Sequence, residues 1–179
     1  MSFKIGPALN LHFLRLVYNP SYDLKGGTAQ MPLYTIGYEG LDQESFLLWL
    51  KQYHIDVIAD VRKLPLSRKK GFSKSALKET LHSNGIEYFN FNDLGACKSL
   101  RNNLIATGDY RAFFREYKKT ISDSGPQLDE IRHMIDDGKT VALLCFEQDP
   151  HKCHRSVVAD KIRERDGNGM QITHINRFL

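Results

Sequence analysis

Residues able to do chemistry are concentrated in one short stretch of the chain, from Cys145 to Ser156. The stretch holds two of the three cysteines, two of the seven histidines and an arginine. Thiolates act as nucleophiles and, together with imidazoles, as metal ligands, whereas arginine binds anions through its planar guanidinium group. The stretch therefore permits a nucleophilic thiol, a metal centre or an anion site.

A zinc site would use the side chains of Cys145, His151, Cys153 and His154, which are of the types that zinc prefers. The spacing argues against such a site, because the neighbours Cys153 and His154 rarely point at one ion and no second C-x-x-C or H-x-x-x-H pair is present. We therefore predict no metal and no cofactor. A thiol-redox or metal site at Cys153 is kept as a third alternative.

A nucleophilic thiol is the second possibility. Cys153 lies where a helix is predicted to begin, beside a histidine and an arginine, and these surroundings lower the pKa of a thiol. Cys145 follows two leucines of a predicted strand, which favours a place in the buried core. In the phosphatase loop, five residues separate the cysteine from the arginine. Here Cys153 is two residues before Arg155 and Cys145 is ten, so that loop is absent. Cys153 is thus an optional nucleophile, and the acid or base would be one of Glu39, Glu147 and His154.

An anion site needs the fewest assumptions. Arg155 and Ser156 open a predicted helix, whose free N–H groups and positive dipole end favour phosphate. Arg62 and Arg68 follow an earlier strand and could close the other side of the site. The alternative is an internal ion pair between Arg155 and one of the carboxylates of Glu39, Asp60 and Glu147.

Alternating strand and helix patterns position these residues. Apolar runs predict strands over 33–36, 55–61, 86–91, 141–145 and 170–175. Periodic apolar faces predict helices over 42–53, 73–83, 110–121, 127–136 and 157–165, with Asp42 and Ser73 as N-caps of the first two. Residues 97–109, which include Arg101, are predicted to be a polar loop.

This order of elements predicts a doubly wound α/β fold, a three-layer sandwich around a mostly parallel, Rossmann-like sheet of about five strands. A strand order of 3-2-1-4-5 would put a switch point between the first and fourth strands, where such folds bind ligands. Gly37, Tyr38 and Glu39 would then line one side of a crevice, supported by Asp60. Residues 1–30 have no sustained period and are predicted to be an irregular extension of a single domain over 31–179.

Composition sets the class of protein and its surroundings. The chain of 179 residues is 41% hydrophobic and 26% charged, which is typical of a globular protein. Its net charge of +4 fits a phosphate-containing ligand or a nucleic acid as partner, and the basic run from Arg62 to Lys74 could contact it. Three cysteines indicate a reducing compartment, the cytoplasm, and no long apolar stretch points to a membrane partner. The oligomeric state is left open.

Several motifs along the chain match a known pattern in the same order. They are Tyr34–Gly40, Ala59–Arg62 with Pro65, Ser67 and Arg68, Gly71–Lys74, Leu94–Gly95, Leu144–Glu147 and Cys153–Arg155. In these motifs the chain resembles domain-of-unknown-function family 488, from about Leu33 to Ile175. The resemblance implies no activity. It implies family positions at Gly37, Glu39, Asp60, Arg62, Arg68, Glu147, Cys153, His154 and Arg155.

The sequence thus leads to two main hypotheses. The first is a cytoplasmic enzyme, a hydrolase or transferase, with a phosphate- or nucleic-acid-directed site rich in arginine. The second is a non-catalytic module that binds nucleic acid or protein, in which the basic loop contacts phosphates.

Overall fold

The computed structural model describes residues 31–121 and 124–175. Within them, five strands form one sheet: β1 (Leu33–Gly37), β2 (Val57–Asp60), β3 (Glu87–Asn90), β4 (Val141–Cys145) and β5 (Ile172–Ile175). All neighbouring strands are parallel. The predicted Rossmann-like α/β fold is confirmed. The extension predicted over residues 1–30 lies outside the described residues.

The strand order is β3-β2-β4-β1-β5, so the predicted order 3-2-1-4-5 is wrong. β4 lies between β1 and β2, and the connection from β1 to β2 passes over it. Every residue of β1 and of β4 is buried, as expected for the inner strands of a covered parallel sheet. Their apolar sequences do not reveal which of them is the more central. β1 and β4 are nevertheless neighbours, as predicted, and their carboxyl ends lie side by side.

Six α-helices cover the two faces of the sheet in the described part of the chain. They are α1 (Gln43–Gln52), α2 (Lys74–His82), α3 (Lys98–Thr107), α4 (Tyr110–Thr120), α5 (Gly125–Asp136) and α6 (Arg155–Asp166). None of them has the length and apolar character that a membrane span requires.

The side chains of β4 alternate between two cores. Ala142 and Leu144 pack with apolar residues of α1 and α2 on one face of the sheet. Val141 and Leu143 pack with those of α4, α5 and α6 on the other face. The chain therefore leaves β1 toward one face and β4 toward the opposite face. Two adjacent strands that part in this way open a crevice at their carboxyl ends.

One predicted loop is a helix. Residues 97–109 are polar, yet α3 occupies most of this segment and ends at Gly108, whose φ of 67° is left-handed. None of the α3 side chains is fully buried, and only Leu100 and Leu104 pack on the core, so the apolar period that predicts a helix is short. The N-cap role predicted for Asp42 is confirmed, since its carboxylate accepts a hydrogen bond from Ser45 N at 2.7 Å. Ser73 precedes α2 as predicted, but its side chain makes no cap hydrogen bond.

Candidate functional site

A cavity of about 480 Å³ lies at the carboxyl ends of β2 and β4. Cys145, Glu147 and His154 line it on one side, and the loop that follows β2 lines it on the other. β2 and β4 are also neighbours that part, because the chain leaves β2 toward the face that carries α1 and α2, so the cavity lies where these two strand ends separate. Most of the residues that line it come from the two stretches that the sequence singled out, 62–69 and 145–154.

Four residues of the 145–154 stretch converge, and we call them the thiol cluster: Cys145, Glu147, Cys153 and His154. The ligating atoms of all four lie within 4.8 Å of one another. Both thiols donate to Glu147 Oε2, Cys145 at 2.9 Å and Cys153 at 3.0 Å. Cys145 Sγ also lies 3.7 Å from His154 Nδ1. The sequence did not predict that these side chains would meet at one point.

His154 is held in a single orientation. Its Nε2 lies 2.9 Å from the carbonyl oxygen of Val61, which can only accept a hydrogen bond. Nε2 therefore carries a proton, and in the neutral ring Nδ1 presents its lone pair to the cluster. The ring of Tyr117 packs edge-on against the imidazole, with 5.4 Å between centroids.

Burial and mutual hydrogen bonds together shift the pKa values in the thiol cluster. Burial alone would raise the pKa of the Cys153 thiol, but its interactions with Cys145 and His154 lower it well below the ordinary value. Burial alone would lower the pKa of His154, but its interaction with Cys153 raises it. Cys145 is 3% exposed, and burial raises the pKa of its thiol well above the ordinary value. Burial, followed by the proximity of the Cys153 sulfur, also raises the pKa of the Glu147 carboxyl. The cluster is thus a place where thiol, carboxyl and imidazole share protons at short range.

Arg155 is fully buried and supports the loop after β4. Its guanidinium donates to the carbonyl oxygens of Glu147 and Gln148, the latter at 2.8 Å, and to Thr35 Oγ1 at 3.3 Å. It lines neither of the two cavities at this edge of the sheet. The anion-binding role predicted for Arg155 has no support in this geometry. Its partners are internal, as in the alternative considered from sequence, but they are backbone carbonyls and a hydroxyl instead of a carboxylate.

Three N–H groups at the start of α6 have internal acceptors. Ser156 N donates to Cys153 O at 3.3 Å, and Val157 N and Val158 N both donate to His154 O. The Ser156 hydroxyl also donates to Cys153 O, at 2.9 Å. The geometry therefore gives the phosphate site at Arg155 and Ser156 fewer free donors than the sequence suggested, and that site stays a prediction.

Gly37 allows the loop after β4 to lie against the end of β1. A Cβ atom at this position would lie 1.8 Å from the carbonyl oxygen of Glu147. This is the same carbonyl that Arg155 holds. The glycine and the arginine together fix the backbone that carries the Glu147 side chain.

Asp60, predicted to support the site, forms a buried ion pair with Arg62 at 2.5 Å and accepts from Tyr88 at 2.6 Å. Arg62 also donates to Tyr38 Oη and to Phe72 O, each at 2.9 Å. Burial alone would lower the pKa of Arg62, but the hydrogen bonds to Asp60 raise it, so the guanidinium stays charged. Internal partners occupy most of the Arg62 donors. Arg62 therefore contributes positive charge to the cavity wall more than free hydrogen-bond donors.

Among the described residues, six cationic side chains and one carboxylate, that of Glu147, line the cavity. Arg68, which was predicted, and Arg101 are exposed and form no ion pair with any described residue. The other cations at this wall are Arg62, Lys63, Lys69 and Lys152. Arg101 was not predicted as a site residue. Its spacing of three residues from Leu104, which also lines the cavity, is the helical signal that could have identified it.

Glu39 lies apart from the thiol cluster. Its Oε2 accepts from Gln148 N at 3.0 Å, and it lines a second cavity of about 730 Å³ with His151 and His174. Tyr38 is buried and stacks on Phe72 with a centroid distance of 4.4 Å. Of the predicted acids and bases, only Glu147 and His154 line the cavity beside the cations.

Comparison with known families gives one match. The family described as domain of unknown function DUF488 matches residues 42–162, which confirms the resemblance found in the motifs. Neither the curated proteins nor the solved structures contain a match to this chain.

Proposed function

Since the chain belongs to the family of domain of unknown function DUF488, whose description names no activity, we propose its function from the site. The protein is an enzyme, a hydrolase or transferase, that acts on a phosphate-containing substrate, a nucleotide or nucleic acid. One observation carries the proposal: a single cavity joins a cationic wall to a group of side chains able to transfer protons.

The cationic wall supports a phosphate ligand. Arg68 and Arg101 are exposed at the cavity, and their guanidinium groups form bidentate hydrogen bonds with phosphate oxygens. Lys69 lies beside them, with its Nζ 3.4 Å from the carbonyl oxygen of Tyr38. The cavity lining includes one carboxylate, that of Glu147. It belongs to the thiol cluster and is distant in sequence from Arg68, Lys69 and Arg101. A dianionic phosphate between the two arginines would be held without an opposing negative charge on that wall.

The rim of the cavity supports a ligand that carries a base as well as a phosphate. Leu64, Leu66 and Phe146 line the cavity and are 58%, 79% and 44% exposed. Exposed apolar side chains beside cations favour ligands with a flat apolar part, and bases stack on aromatic rings. Inorganic phosphate alone would make no use of these three side chains.

The proton-transfer groups lie on the same cavity. Glu147 and His154 are of the types that act as general acid and base, and Cys145 is the thiol that lines the cavity. Cys153 lies behind them and is 1% exposed, which favours a supporting role over that of a nucleophile. The substrate phosphate would lie on the arginines, with the reacting bond over Glu147.

Binding can be tested by fluorescence anisotropy with a labelled single-stranded oligonucleotide, with a nucleoside triphosphate and inorganic phosphate as competitors. We expect Arg68→Ala and Arg101→Ala to weaken oligonucleotide binding about tenfold each and to lower the salt slope by about 0.7 for each lost phosphate contact. Arg132→Ala is the matched control, because Arg132 pairs with Asp136 on α5 and lines neither cavity. Equal affinities for wild type, Arg68→Ala and Arg101→Ala would contradict the proposal. Competition by the nucleoside triphosphate would assign the site to nucleotides.

A non-catalytic nucleic-acid-binding module is the second candidate. The exposed Leu66 and Phe146 beside the cations favour it, because they serve binding without chemistry. Turnover separates the two candidates. We expect wild type to convert a bound oligonucleotide or nucleotide, with Glu147→Gln binding it but converting it at least about 100-fold more slowly. Binding without any turnover in wild type would select the binding module.

The proposed location is the cytoplasm. The three cysteines, Cys97, Cys145 and Cys153, are all free thiols. Free thiols in contact with a carboxylate support a reducing compartment.

A further inference from the structure

We propose that the thiol cluster is a binding site for a divalent transition-metal ion of the zinc class. The four ligands are Cys145 Sγ, Glu147 Oε2, Cys153 Sγ and His154 Nδ1. This inference goes beyond the proposed function, because the cationic wall does not require a metal. A bound ion would occupy Glu147 and His154, which transfer protons only while they are free of it.

The distances within the cluster are close to those of a tetrahedral site, since the four ligand atoms all lie within 4.8 Å of one another. Zinc binds thiolate at about 2.3 Å and imidazole or carboxylate at about 2.0–2.2 Å, so the ligand atoms of a tetrahedral site lie about 3.4–3.8 Å apart. The distance from Cys145 Sγ to His154 Nδ1 is 3.7 Å, within that range. The two distances from sulfur to Glu147 Oε2 are 2.9 and 3.0 Å, which is hydrogen-bond length. A small rotation of the carboxylate would open them as the thiol protons leave.

The imidazole of His154 is prepared for a metal. Its Nε2 donates to Val61 O at 2.9 Å, so Nδ1 has the free lone pair and faces Cys145. Metal-binding histidines in proteins donate their second ring nitrogen to a carbonyl or carboxylate in the same way. A core histidine without a ligand would need Nδ1 satisfied by a strong donor, and a thiol 3.7 Å away is a weak one.

Charge also agrees with an ion at this place. Two thiolates and one carboxylate around a divalent cation leave one net negative charge. Arg155 is buried, positively charged and bonded to the backbone of Glu147, so it can compensate that charge. Sulfur and imidazole ligands select zinc-like ions over magnesium and calcium, which prefer oxygen.

The cavity gives access to the ion. Cys145, Glu147 and His154 line it, and Glu147 is the least buried of the four ligands. The carboxylate is therefore the ligand that a molecule in the cavity would displace. Catalytic zinc sites keep such an exchangeable position, whereas structural sites are closed by four buried ligands.

Titration of the reduced, metal-free full chain with Co²⁺ tests the site. We expect one equivalent to bind, with a thiolate-to-cobalt charge-transfer band in the near ultraviolet and the intense visible bands of tetrahedral cobalt. Zn²⁺ should displace the cobalt and abolish both features. A reduced wild-type chain that shows no charge-transfer band at saturating Co²⁺ would overturn the proposal.

Cysteine variants give matched controls. Cys145→Ser and Cys153→Ser should each weaken Co²⁺ binding at least about 100-fold, since even partners behind the ligands cost 10–100-fold. Cys97→Ser should bind as wild type, because Cys97 bonds Ser99 and lies outside the cluster. Circular dichroism will show whether the serine variants fold. If one of them does not, Glu147→Gln is the second variant. Glu147→Gln should weaken Co²⁺ binding but keep the charge-transfer band, because both thiolates remain. Equal affinities for all three serine variants would refute the site.

The metal test and the phosphate test are independent. Arg68→Ala and Arg101→Ala should leave Co²⁺ binding unchanged, because neither residue belongs to the thiol cluster. Metal binding without oligonucleotide binding would refute only the proposed function. Oligonucleotide binding without metal binding would refute only this inference.

Discussion

At Gly37 the end of β1 lies so close to the loop after β4 that a side chain does not fit. The Cβ of an alanine would lie 1.8 Å from Glu147 O, a backbone atom that Arg155 holds in place. We expect Gly37→Ala to lower the free energy of unfolding by about 1–3 kcal/mol, as measured by urea denaturation. Gly125→Ala is the control, because its Cβ would meet only the flexible end of Arg165, at 3.2 Å. A Gly37→Ala variant as stable as Gly125→Ala would contradict this expectation.

His174 predicts a pH dependence of stability. Its Nδ1 lies 2.8 Å from the Thr35 hydroxyl, which also accepts from Arg155 Nε. Burial first, and then the positive charges of Arg155 and His151, lower the pKa of His174 in the folded protein, opposed by Asp160. The unfolded chain therefore binds this proton more tightly, so stability is lost as the pH falls through about 6.5, the ordinary imidazole value.

We expect His174→Gln to remove part of that loss. Thermal unfolding of the wild type and of His174→Gln between pH 8 and pH 5 measures the loss of stability. The readout is the difference between the two curves of melting temperature against pH. The other histidines are common to both proteins and cancel in the difference. Parallel curves would show that protonation of His174 does not contribute.

At the scale of single residues, most residues of the candidate site were predicted from the sequence, but not which of them are in contact. From sequence, Cys153 and His154 were not expected to share an ion, because neighbouring side chains rarely point at one place. Here Cys153 is extended, with φ −130° and ψ 137°, while His154 is helical, with φ −61° and ψ −20°. This change of backbone conformation between them turns both side chains to the same point. A linear spacing rule contains no information on such a change.

Arg155 shows the same limit of prediction from sequence. Its position at the start of α6 was correctly inferred, and an internal partner was one of the alternatives. The choice depended on where the loop of residues 147–148 lies, which is set by the close approach at Gly37. A contact between β1 and the loop after β4 cannot be read from either segment alone.

Among the helices, α4 carries the aromatic side chains that pack behind the site. Tyr117 packs against His154, and Phe113 lines the cavity. The helix begins at Asp109, whose carboxylate accepts from Ala112 N at 2.9 Å. We expect Asp109→Ala to destabilise the protein by about 1 kcal/mol in chemical denaturation, whereas Asp109→Asn keeps the cap and should cost less. Equal losses for the two variants would mean that charge, and not the cap hydrogen bond, matters at this position.

Elements with a strong apolar pattern were predicted well, and those without one were not. All five strands were located from their apolar runs. β1, β2 and β4 are fully buried, whereas the edge strands β3 and β5 bury one residue each. The helix α3 was missed because its segment is mostly polar, and Leu100 and Leu104, which pack on the core, form only a short apolar stripe. The strand order was wrong because β1 and β4 are both inner strands and are equally buried, so burial gives no reason to place one of them nearer to β2.

For the whole molecule, metal binding should be visible as stability. The four proposed ligands lie at the end of β4, in the loop after it and at the start of α6, so unfolding would separate them. Zn²⁺ at 100 times its dissociation constant should add about 2.7 kcal/mol to the free energy of unfolding. We expect a chelator to reverse the gain, Cys97→Ser to keep it and Cys145→Ser to lose it. A gain in Cys145→Ser equal to that of wild type would place the stabilising ion elsewhere.

The position of β1 separates the boundaries of the family from those of the folding unit. The family match begins at residue 42 and ends at residue 162, so it includes neither β1 nor β5. Yet β1 lies between β4 and β5 and hydrogen-bonds to both. A fragment cut at the matched residues would leave β4 with an open, fully apolar edge, which is the kind of edge that recruits another chain. Excision or transplantation of this domain should therefore start before Leu33 and end after Ile175.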